Sequence, residues 1–408
     1  MSYDLIVASE KPIDVLRILG QLRAQPGVQA VKESSEQLEV SLTLPNGNNA
    51  IFFIGMPLHA QPEDFDDAVF EYVRNPQWLT ELTVPAHAGA TGVELARQAA
   101  ILIAKASKGA AVDLQDDDVL WPPRKLLFRT PRATNPSERD LDILSLSWIV
   151  ALPKESALRS QKAERLCASY LEQISANLSA ATPVRCGTFE PFQGRGPAGF
   201  EKEWSCASQS EFGDMFHFTA KPPCFGGHVK FSYPRHSLES PKHSLPCLEL
   251  SLNVDASHFS QRDSENDLII AFAAMADKLN AVYGAVHYLR GWEYFRGQLW
   301  ARQGTESSPQ LTRSGWIGIP PSPAWIVWFN NAYLAEMPDW SSNAAQTAKN
   351  GRVFKFGEHP CPVEKAALAM PPLPEALRFS PAEETVTGHN PGAQPAARIL
   401  AYEDFFSH

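Results

Sequence analysis

The sequence Leu144-Ser-Leu-Ser-Trp-Ile-Val-Ala-Leu152 has the length and the apolar content of a buried β-strand. The stretch that follows it, Ser156 to Leu178, has apolar residues every fourth position, at Leu166, Tyr170 and Ile174. A strand followed by a helix that can pack on it predicts a layered structure built from both kinds of element. We therefore predict an α+β fold for this part of the chain.

The rest of the C-terminal part repeats this mixture of strands and helices. Ser264-x-x-Asp267 predicts the start of a helix that runs through Leu279. Together these elements predict an α+β domain over residues 123–370, larger than the N-terminal one. Its further predicted strands are His228 to Tyr233, Leu248 to Val254, Val282 to Tyr288 and Trp325 to Phe329.

The N-terminal part predicts a smaller α+β module over residues 1–122. Ser9 followed by Pro12 predicts a helix start, and Glu63 to Val73 has the composition of a short acidic helix. Thr91-x-x-Glu94 matches a capping box, which predicts that a further helix begins there. The pattern predicts helices packed on a mixed or antiparallel sheet. The predicted strands are Leu5 to Ala8, Leu38 to Leu42, Ile51 to Ile54, Leu82 to Val84, Ala111 to Leu114 and Val119 to Trp121.

Two proline-rich stretches predict the limits of these domains. Trp121-Pro122-Pro123-Arg124 is the expected boundary between the two. Residues 371–397 contain six prolines, which predicts an extended strap rather than a helix or sheet. The apolar residues Ile399 to Tyr402 near the end predict that the strap, residues 371–408, docks back onto the fold.

Composition and charge limit the classes of function. The 408 residues are 44% apolar and 20% charged, which is ordinary for a globular protein of two to three domains. The 36 basic and 46 acidic residues give a net charge of −10. Such a chain is poorly matched to the phosphates of nucleic acid or to an anionic membrane, whereas a basic protein would suit it.

The sequence also predicts where the protein works. Its longest apolar run, Leu268 to Ala276, has nine residues, far fewer than the ~20 of a membrane-spanning helix. The first residues lack a basic region and contain Asp4, which does not fit a signal peptide. The six cysteines are widely spaced, without a C-x-x-C pair. We expect a cytoplasmic protein with free, buried thiols.

Two motifs could hold a cofactor or a metal ion, and we expect neither group. Gly194 to Gly199 matches G-x-G-x-x-G, but Pro191 and Pro197 interrupt the strand and the donors that a dinucleotide requires, which favours a surface loop. A second group of thiols and imidazoles is too irregularly spaced for a typical zinc site, although a zinc-stabilised module is an alternative. Its members are Cys224, His228, His236, His243 and Cys247.

Runs of acidic residues are the main charge feature. They are either solvated faces or an anionic patch that docks on a basic protein. We take the second interpretation as a hypothesis for partner binding. The candidate residues are Glu63, Asp64, Asp66, Asp67, Asp116, Asp117 and Asp118.

The segment around Gly315-Trp316 and the strand Trp325 to Phe329 are dense in aromatic residues, and Gly291-Trp292 lies upstream. Such residues usually fill a core, but the adjacent Pro320 and Pro321 favour a rigid exposed loop. Trp292 and Trp316 are therefore candidate anchors for a partner.

These Gly-Trp pairs and the strand after them resemble the immunity protein 52 family, over roughly residues 140–340. The layout of the whole chain is similar to the cognate immunity protein of a type VI secretion effector with a restriction-endonuclease-like toxin domain. The resemblance implies a protein that binds a basic nuclease toxin in the cytoplasm and neutralises it by occlusion. It implies no catalytic residues, and we expect neither a cofactor nor a metal ion.

The main alternative is an enzyme, such as a hydrolase with a site between the two domains. The chain has no G-x-S-x-G, P-loop or H-E-x-x-H motif. Because catalytic groups often meet only in the folded protein, a histidine or cysteine beside a carboxylate in a cleft would favour this alternative.

Overall fold

The structure is a computed structural model. It describes residues 3–24, 28–34, 37–43, 49–65, 67–115, 118–123, 139–189, 191–234, 244–259, 262–295, 298–301, 305–307, 315–380 and 395–400. The chain divides into two compact units, Met1–Pro136 and Ser137–His408. Each unit contains an antiparallel sheet with helices, so the predicted α+β class is confirmed.

The N-terminal unit has one sheet, with eight strands in the described residues and the order β2-β3-β4-β6-β1-β7-β8, in which β5 also pairs with β6. The strands are β1 (Tyr3–Ser9), β2 (Val28–Glu33), β3 (Gln37–Thr43), β4 (Asn49–Gly55), β5 (Leu58–His59), β6 (Trp78–Val84), β7 (Gly109–Asp113) and β8 (Asp118–Trp121). The helices are α1 (Val15–Arg23) and α2 (Gly89–Ser107), with 3₁₀ turns at Pro62–Asp64, Asp67–Glu71 and Ala86–Ala88.

The alternating side chains of β1 reach the two faces of this sheet. Leu5 and Val7 belong to the core shared with α1 and α2, in which Ile103 is fully buried. Ala8 belongs to a second cluster on the 3₁₀ turns, with Phe65. Both faces of the sheet are therefore covered, one by helices and one by short turns.

The C-terminal unit has a larger sheet, with eleven strands in the described residues. Their order is β11-β10-β12-β13-β14-β9-β15-β17-β19-β18, in which β16 also pairs with β15. The strands are β9 (Arg139–Ala151), β10 (Arg185–Gly187), β11 (Gly194–Arg195), β12 (Met215–Thr219), β13 (Cys224–Ser232), β14 (Cys247–Asp255), β15 (Tyr283–Phe295), β16 (Gln298–Ala301), β17 (Ile326–Asn330), β18 (Gln346–Thr347) and β19 (Gly351–Lys355). The helices are α3 (Ser156–Asn177), α4 (Gly196–Gln209), α5 (Arg262–Leu279), α6 (Asn331–Ala335) and α7 (Val363–Ala369), with 3₁₀ turns at Ser179–Ala181, Pro338–Asn343 and Glu375–Leu377.

Strand β9 lies inside this sheet, between β14 and β15. On one face, Leu146 and Trp148 join the core formed with α3, α4 and α5. On the other face, Ile149 joins a second core that contains Trp316 and Leu377. The apolar run that opened the sequence analysis is therefore a central strand buried on both faces.

The proline-rich segment contacts this second core where the structure describes it. Phe379 is buried, and its backbone N–H donates to the carbonyl of Ile319 at 3.1 Å. Leu400 is also buried in the same cluster. Residues 381–394 and 401–408 lie outside the described residues.

Three predicted helix starts are wrong. Helix α1 begins at Val15, where the Asp14 side chain accepts a hydrogen bond from the Arg17 backbone N–H, whereas Ser9 ends β1. Helix α2 begins two residues before Thr91, so the capping-box match is inside the helix. Helix α5 begins before Ser264, whose hydroxyl donates to the His258 carbonyl. In addition, the predicted acidic helix from Glu63 to Val73 is a pair of short 3₁₀ turns.

The predicted surface loop at Gly194 to Gly199 is also wrong. Gly194 and Arg195 form β11, and α4 begins at Gly196 with Pro197 in its first turn. A Cβ added to Gly199 would lie 2.7 Å from the carbonyl carbon of Gly194, and one on Gly194 would lie 2.5 Å from the Cys186 Sγ. These glycines therefore permit close packing of helix and strand. Because β10 and β11 form an antiparallel pair, the surroundings are not those of a dinucleotide site.

Within the described part of the chain, none of the helices combines the length and the apolar composition needed to cross a bilayer.

Candidate functional site

The acidic candidates of the N-terminal unit are only partly described. Asp64 accepts a hydrogen bond from the Gln61 backbone N–H at 2.7 Å, so its carboxylate caps a 3₁₀ turn. Asp118 is exposed at the start of β8. Asp66, Asp116 and Asp117, and the side chains of Glu63 and Asp67, lie outside the described residues.

Asp113, three residues before the acidic run Asp116 to Asp118, is fully buried and has a structural role. Its carboxylate accepts hydrogen bonds from the Tyr3 hydroxyl and from Arg97, whose Nε and guanidinium N–H lie 2.9 and 2.6 Å away. Burial alone would raise the pKa of Asp113, but the hydrogen bonds from Tyr3 and Arg97 outweigh it and hold that pKa below its usual value. This carboxylate is committed to an internal ion pair.

Of the two aromatic candidates, Trp316 belongs to the core. It is fully buried, its ring stacks on Tyr283, and its Nε1–H donates to the Tyr333 hydroxyl at 2.9 Å. The expectation of an exposed anchor at Trp316 is therefore wrong. Trp292 is half-buried on β15, and its Nε1–H donates to the Glu306 carbonyl at 3.1 Å.

The members of the zinc alternative that the structure describes do not converge on one point. Cys224 pairs with Val254 and Cys247 pairs with Ser232, so the two thiols lie at opposite ends of the β13–β14 pair. His236 and His243 lie outside the described residues. In the ranges that the structure describes, no three His, Cys, Asp or Glu side chains could hold a metal ion together.

The thiols give a direct test of the fold. Cys206 is exposed, whereas the other five cysteines are buried, and burial raises the pKa of Cys167 and Cys224 to about 12. We expect Ellman's reagent to modify one thiol per native chain rapidly near neutral pH and all six after unfolding. Cys206→Ser should remove the rapid phase, and a native burst of two or more thiols would contradict the core described above.

One polar cluster lies on a face of the large sheet, across β12, β13 and β14. The His228 Nδ1 lies 2.8 Å from the Ser251 Oγ, and its Nε2 lies 3.6 Å from the Glu249 Oε1. His217 is opposite His228, with 6.1 Å between ring centroids. Burial, followed by the nearby His228, lowers the pKa of His217, which favours its neutral form.

This polar cluster resembles a nucleophile–base–acid arrangement, but Ser251 is poorly placed to attack a substrate. It is 95% buried, and its Oγ accepts a hydrogen bond from the His228 backbone N–H at 2.8 Å. Strand β14 pairs with both β13 and β9, so its backbone N–H groups are directed at neighbouring strands rather than at an oxyanion. The geometry fits a sheet-stabilising hydrogen-bond network better than acyl transfer.

An apolar corner lies at the end of the β10–β12 pair. Gly187 pairs with His217, which places Phe189, two residues further on, at the same end as Met215, the first residue of β12. Phe189 is 83% exposed, and Phe212 and Met215 are also exposed. We call Phe189, Phe212 and Met215 the apolar corner.

The apolar corner is structured and carries negative charge. The Phe212 carbonyl accepts a hydrogen bond from the Tyr233 backbone N–H at 3.2 Å, and that of Asp214 accepts one from Phe231 at 2.8 Å. Glu211 and Asp214, which flank Phe212, are both exposed. The chain therefore presents Phe212 on a sheet-anchored turn that carries two carboxylates, and Phe189 at the same end of the β10–β12 pair. Such an arrangement can bind an apolar group within a basic surface.

The comparisons with known proteins identify no family. No family model matches the sequence, and no curated protein matches it. Among solved structures, the chain is similar to a T6SS protein of Pseudomonas aeruginosa, with 13% identity and a TM-score of 0.33 over 54% of this chain and 66% of that one.

Two further solved structures are di-domain ARO/CYC proteins. BexL, from the BE-7585A biosynthetic pathway, is 11% identical, with a TM-score of 0.16 over 68% of this chain and 95% of that one. StfQ, from the steffimycin biosynthetic pathway, is also 11% identical, with a TM-score of 0.14 over 68% and 99%. Similarities at this level do not establish a shared fold.

Proposed function

We propose that this chain binds a basic partner protein and neutralises it by stoichiometric occlusion, without turnover. The partner would be the cognate nuclease toxin of a type VI secretion system, met in the cytoplasm. Two features of the sequence support this proposal: its resemblance to immunity protein 52 and its net charge of −10. A nuclease must present basic surface to DNA phosphates, so an acidic protein can cover that surface.

The observation that carries the proposal is the apolar corner. Phe189 is 83% exposed, and burying it against a partner would lower the free energy of the complex. Aromatic residues are enriched among those that dominate binding energy, whereas surrounding charges mainly speed encounter. Phe189 would therefore supply affinity, and Glu211 and Asp214 would attract basic surface.

The first experiment is purification of the tagged chain from its native cells, followed by a toxicity assay of the protein that it retains. We expect a stoichiometric basic partner that is harmful when expressed alone and harmless beside this chain. Phe189→Ala should weaken the complex about 30-fold, the effect of an interface residue worth about 2 kcal/mol. Titration calorimetry measures this change.

The matched control is Leu368→Ala. Leu368 is 90% exposed on α7, which follows β19 near the other end of the sheet order. The Leu368→Ala substitution should leave the affinity for the partner unchanged. The double variant E211K/D214K should slow association and reduce its salt dependence. If neither Phe189→Ala nor E211K/D214K changes binding of the partner, this surface is not the binding site. If the partner stays toxic in the complex, the chain does not neutralise it.

The second candidate is a hydrolase, favoured by the position of His228 between Ser251 and Glu249. In that case Ser251→Ala should abolish hydrolysis of an activated ester such as 4-nitrophenyl acetate, while Ser147→Ala, on the neighbouring strand β9, should not. Ser251 is buried and its Oγ is already hydrogen-bonded. We therefore expect neither the unaltered chain nor the Ser251→Ala variant to hydrolyse the ester faster than buffer does.

A further inference from the structure

A cavity of about 180 Å³ lies within the C-terminal unit. Its wall combines part of β15, the segment before β17 and the start of α7, and it includes Cys361 and Val363. Glu306 and Ser307 also line the cavity, although they belong to neither a helix nor a strand. This part of the wall therefore does not depend on the hydrogen-bond ladder of the sheet.

Next to this part of the wall, strand β15 is irregular. The register of the β15–β9 pair shifts between Leu289 and Trp292. As a result, Arg290 and Gly291 stand opposite the single residue Asp142 and form a β-bulge. Gly291 has a φ of +82°, in the left-handed region that favours glycine. A bulge withdraws backbone groups from the ladder, so these groups can bond to another segment.

The wall segment bonds to this bulge. The Thr305 hydroxyl donates to the Gly291 carbonyl at 2.8 Å, and the Glu306 backbone N–H donates to the Arg290 carbonyl at 3.2 Å. The Arg290 backbone N–H donates to the Glu306 carboxylate at 2.9 Å, and the Trp292 Nε1–H donates to the Glu306 carbonyl at 3.1 Å. These four bonds all join the segment to one short stretch of β15.

The Arg290 side chain joins the same segment to α7. Its Nε–H donates to the Glu306 Oε1 at 2.7 Å, and its guanidinium forms ion pairs with Glu306 and with Glu364 of α7, the second at 3.2 Å. The hydrogen bond from Arg290 is the main reason that the pKa of Glu306 lies below its usual value. The Glu306 carboxylate is therefore charged near pH 7 and stays bound to Arg290.

These contacts are of a kind that can open without unfolding the sheet. The side chains of Arg290, Glu306 and Glu364 are all partly exposed, and exposed ion pairs contribute little to stability because water screens them. Segments held by a few exposed hydrogen bonds open at a lower free energy than central strands do. Because the bulge is outside the regular ladder, such an opening leaves the pairing of β15 with β9 intact.

We propose that residues 305–307 form a lid on the cavity and that Arg290 is the latch that holds this lid closed. Release of Glu306 from Arg290 would move Glu306 and Ser307 out of the wall and open the cavity to solvent. The described lining residues do not include any member of the apolar corner. The lid is therefore independent of the proposed partner surface.

Cys361 can report on the lid because it lines the cavity and is buried. The test treats the full-length Cys206→Ser chain with N-ethylmaleimide at pH 7 and follows alkylation of each cysteine by peptide mass spectrometry. Adding Glu306→Gln removes the charge of the latched group at nearly constant shape. We expect alkylation of Cys361 to become about tenfold faster, whereas Cys167 and Cys224, which do not line the cavity, should be unchanged.

Glu336→Gln is the matched control. It breaks another partly exposed pair with an arginine, Arg398, and neither residue lines the cavity. This substitution should leave the alkylation rate of Cys361 unchanged. An unchanged rate in the Glu306→Gln chain, or an increase shared by Cys167 and Cys224, would overturn the proposal.

Ionic strength gives a second test that needs no change at the latch. Raising sodium chloride from about 0.05 M to about 1 M shortens the screening length several-fold and weakens the exposed ion pairs of Arg290. Alkylation of Cys361 in the Cys206→Ser chain should then become faster. If Glu306→Gln does not fold, this comparison decides, and a rate that does not depend on salt would overturn the proposal.

Discussion

Asp113→Asn is expected to lower the free energy of unfolding of the N-terminal unit by about 3 kcal/mol. The substitution leaves Arg97, whose side chain is 70% buried, without the carboxylate that compensates its charge. Removing one partner of a buried ion pair costs about 3–5 kcal/mol, and Asn keeps part of the hydrogen bonding. Hydrogen exchange of peptides from β1 and β7 at increasing urea concentration measures the change within this unit.

The same carboxylate predicts a dependence on pH. Because the pKa of folded Asp113 lies below its unfolded value of about 3.9, its contribution to stability is complete above that value. The contribution is lost as the pH falls through the folded pKa. Unfolding of β1 and β7 should therefore become easier in acid in the unaltered chain, and this dependence should be weaker in the Asn variant.

Asp118→Asn is the matched control, since Asp118 is the exposed residue directly opposite Asp113 on β8. Surface substitutions of this kind usually change stability by less than about 0.5 kcal/mol. Equal losses from the two variants would contradict the structural role assigned to Asp113.

Trp148→Ala is expected to cost the C-terminal unit about 4 kcal/mol. Trp148 is fully buried near the C-terminal end of β9. Its ring centroid lies 5.3 Å from that of Phe272, and its Nε1–H donates to the Phe272 carbonyl at 3.2 Å. Truncation of a buried aromatic residue typically costs about 3–5 kcal/mol because it leaves a cavity. Urea unfolding followed by far-UV circular dichroism measures the loss.

Trp148→Phe separates the ring from the hydrogen bond and should cost about 1–2 kcal/mol. Trp300→Ala is the surface control, since Trp300 is 47% exposed on β16, and should cost less than Trp148→Phe. A loss in Trp148→Ala no larger than in the Trp300 variant would place Trp148 outside the core.

The sequence predicted the buried strands well because their signal is local. The run from Leu144 to Leu152 must be buried wherever its partners lie, and it forms most of β9. Helix starts were less predictable, because the same side chain can bond elsewhere. Ser264, for example, donates to the His258 carbonyl instead of capping α5.

The candidate site was mostly beyond prediction from the sequence. Phe189 and Met215 lie at the same end of the sheet only because β10 pairs with β12, and this pairing joins residues about thirty positions apart. Acidic runs were visible in the sequence, but only the fold shows that Asp113 is buried while Asp118 is exposed.

The large sheet has very short strands at both ends of its order, β11 with Arg195 and β18 with Gln346, each two residues long. A partner that extends a sheet by adding a strand needs a row of free backbone groups, and stubs of this length offer almost none. Recognition at these two margins must therefore depend on side-chain shape and charge, and the same brevity protects this sheet from pairing edge to edge with another copy.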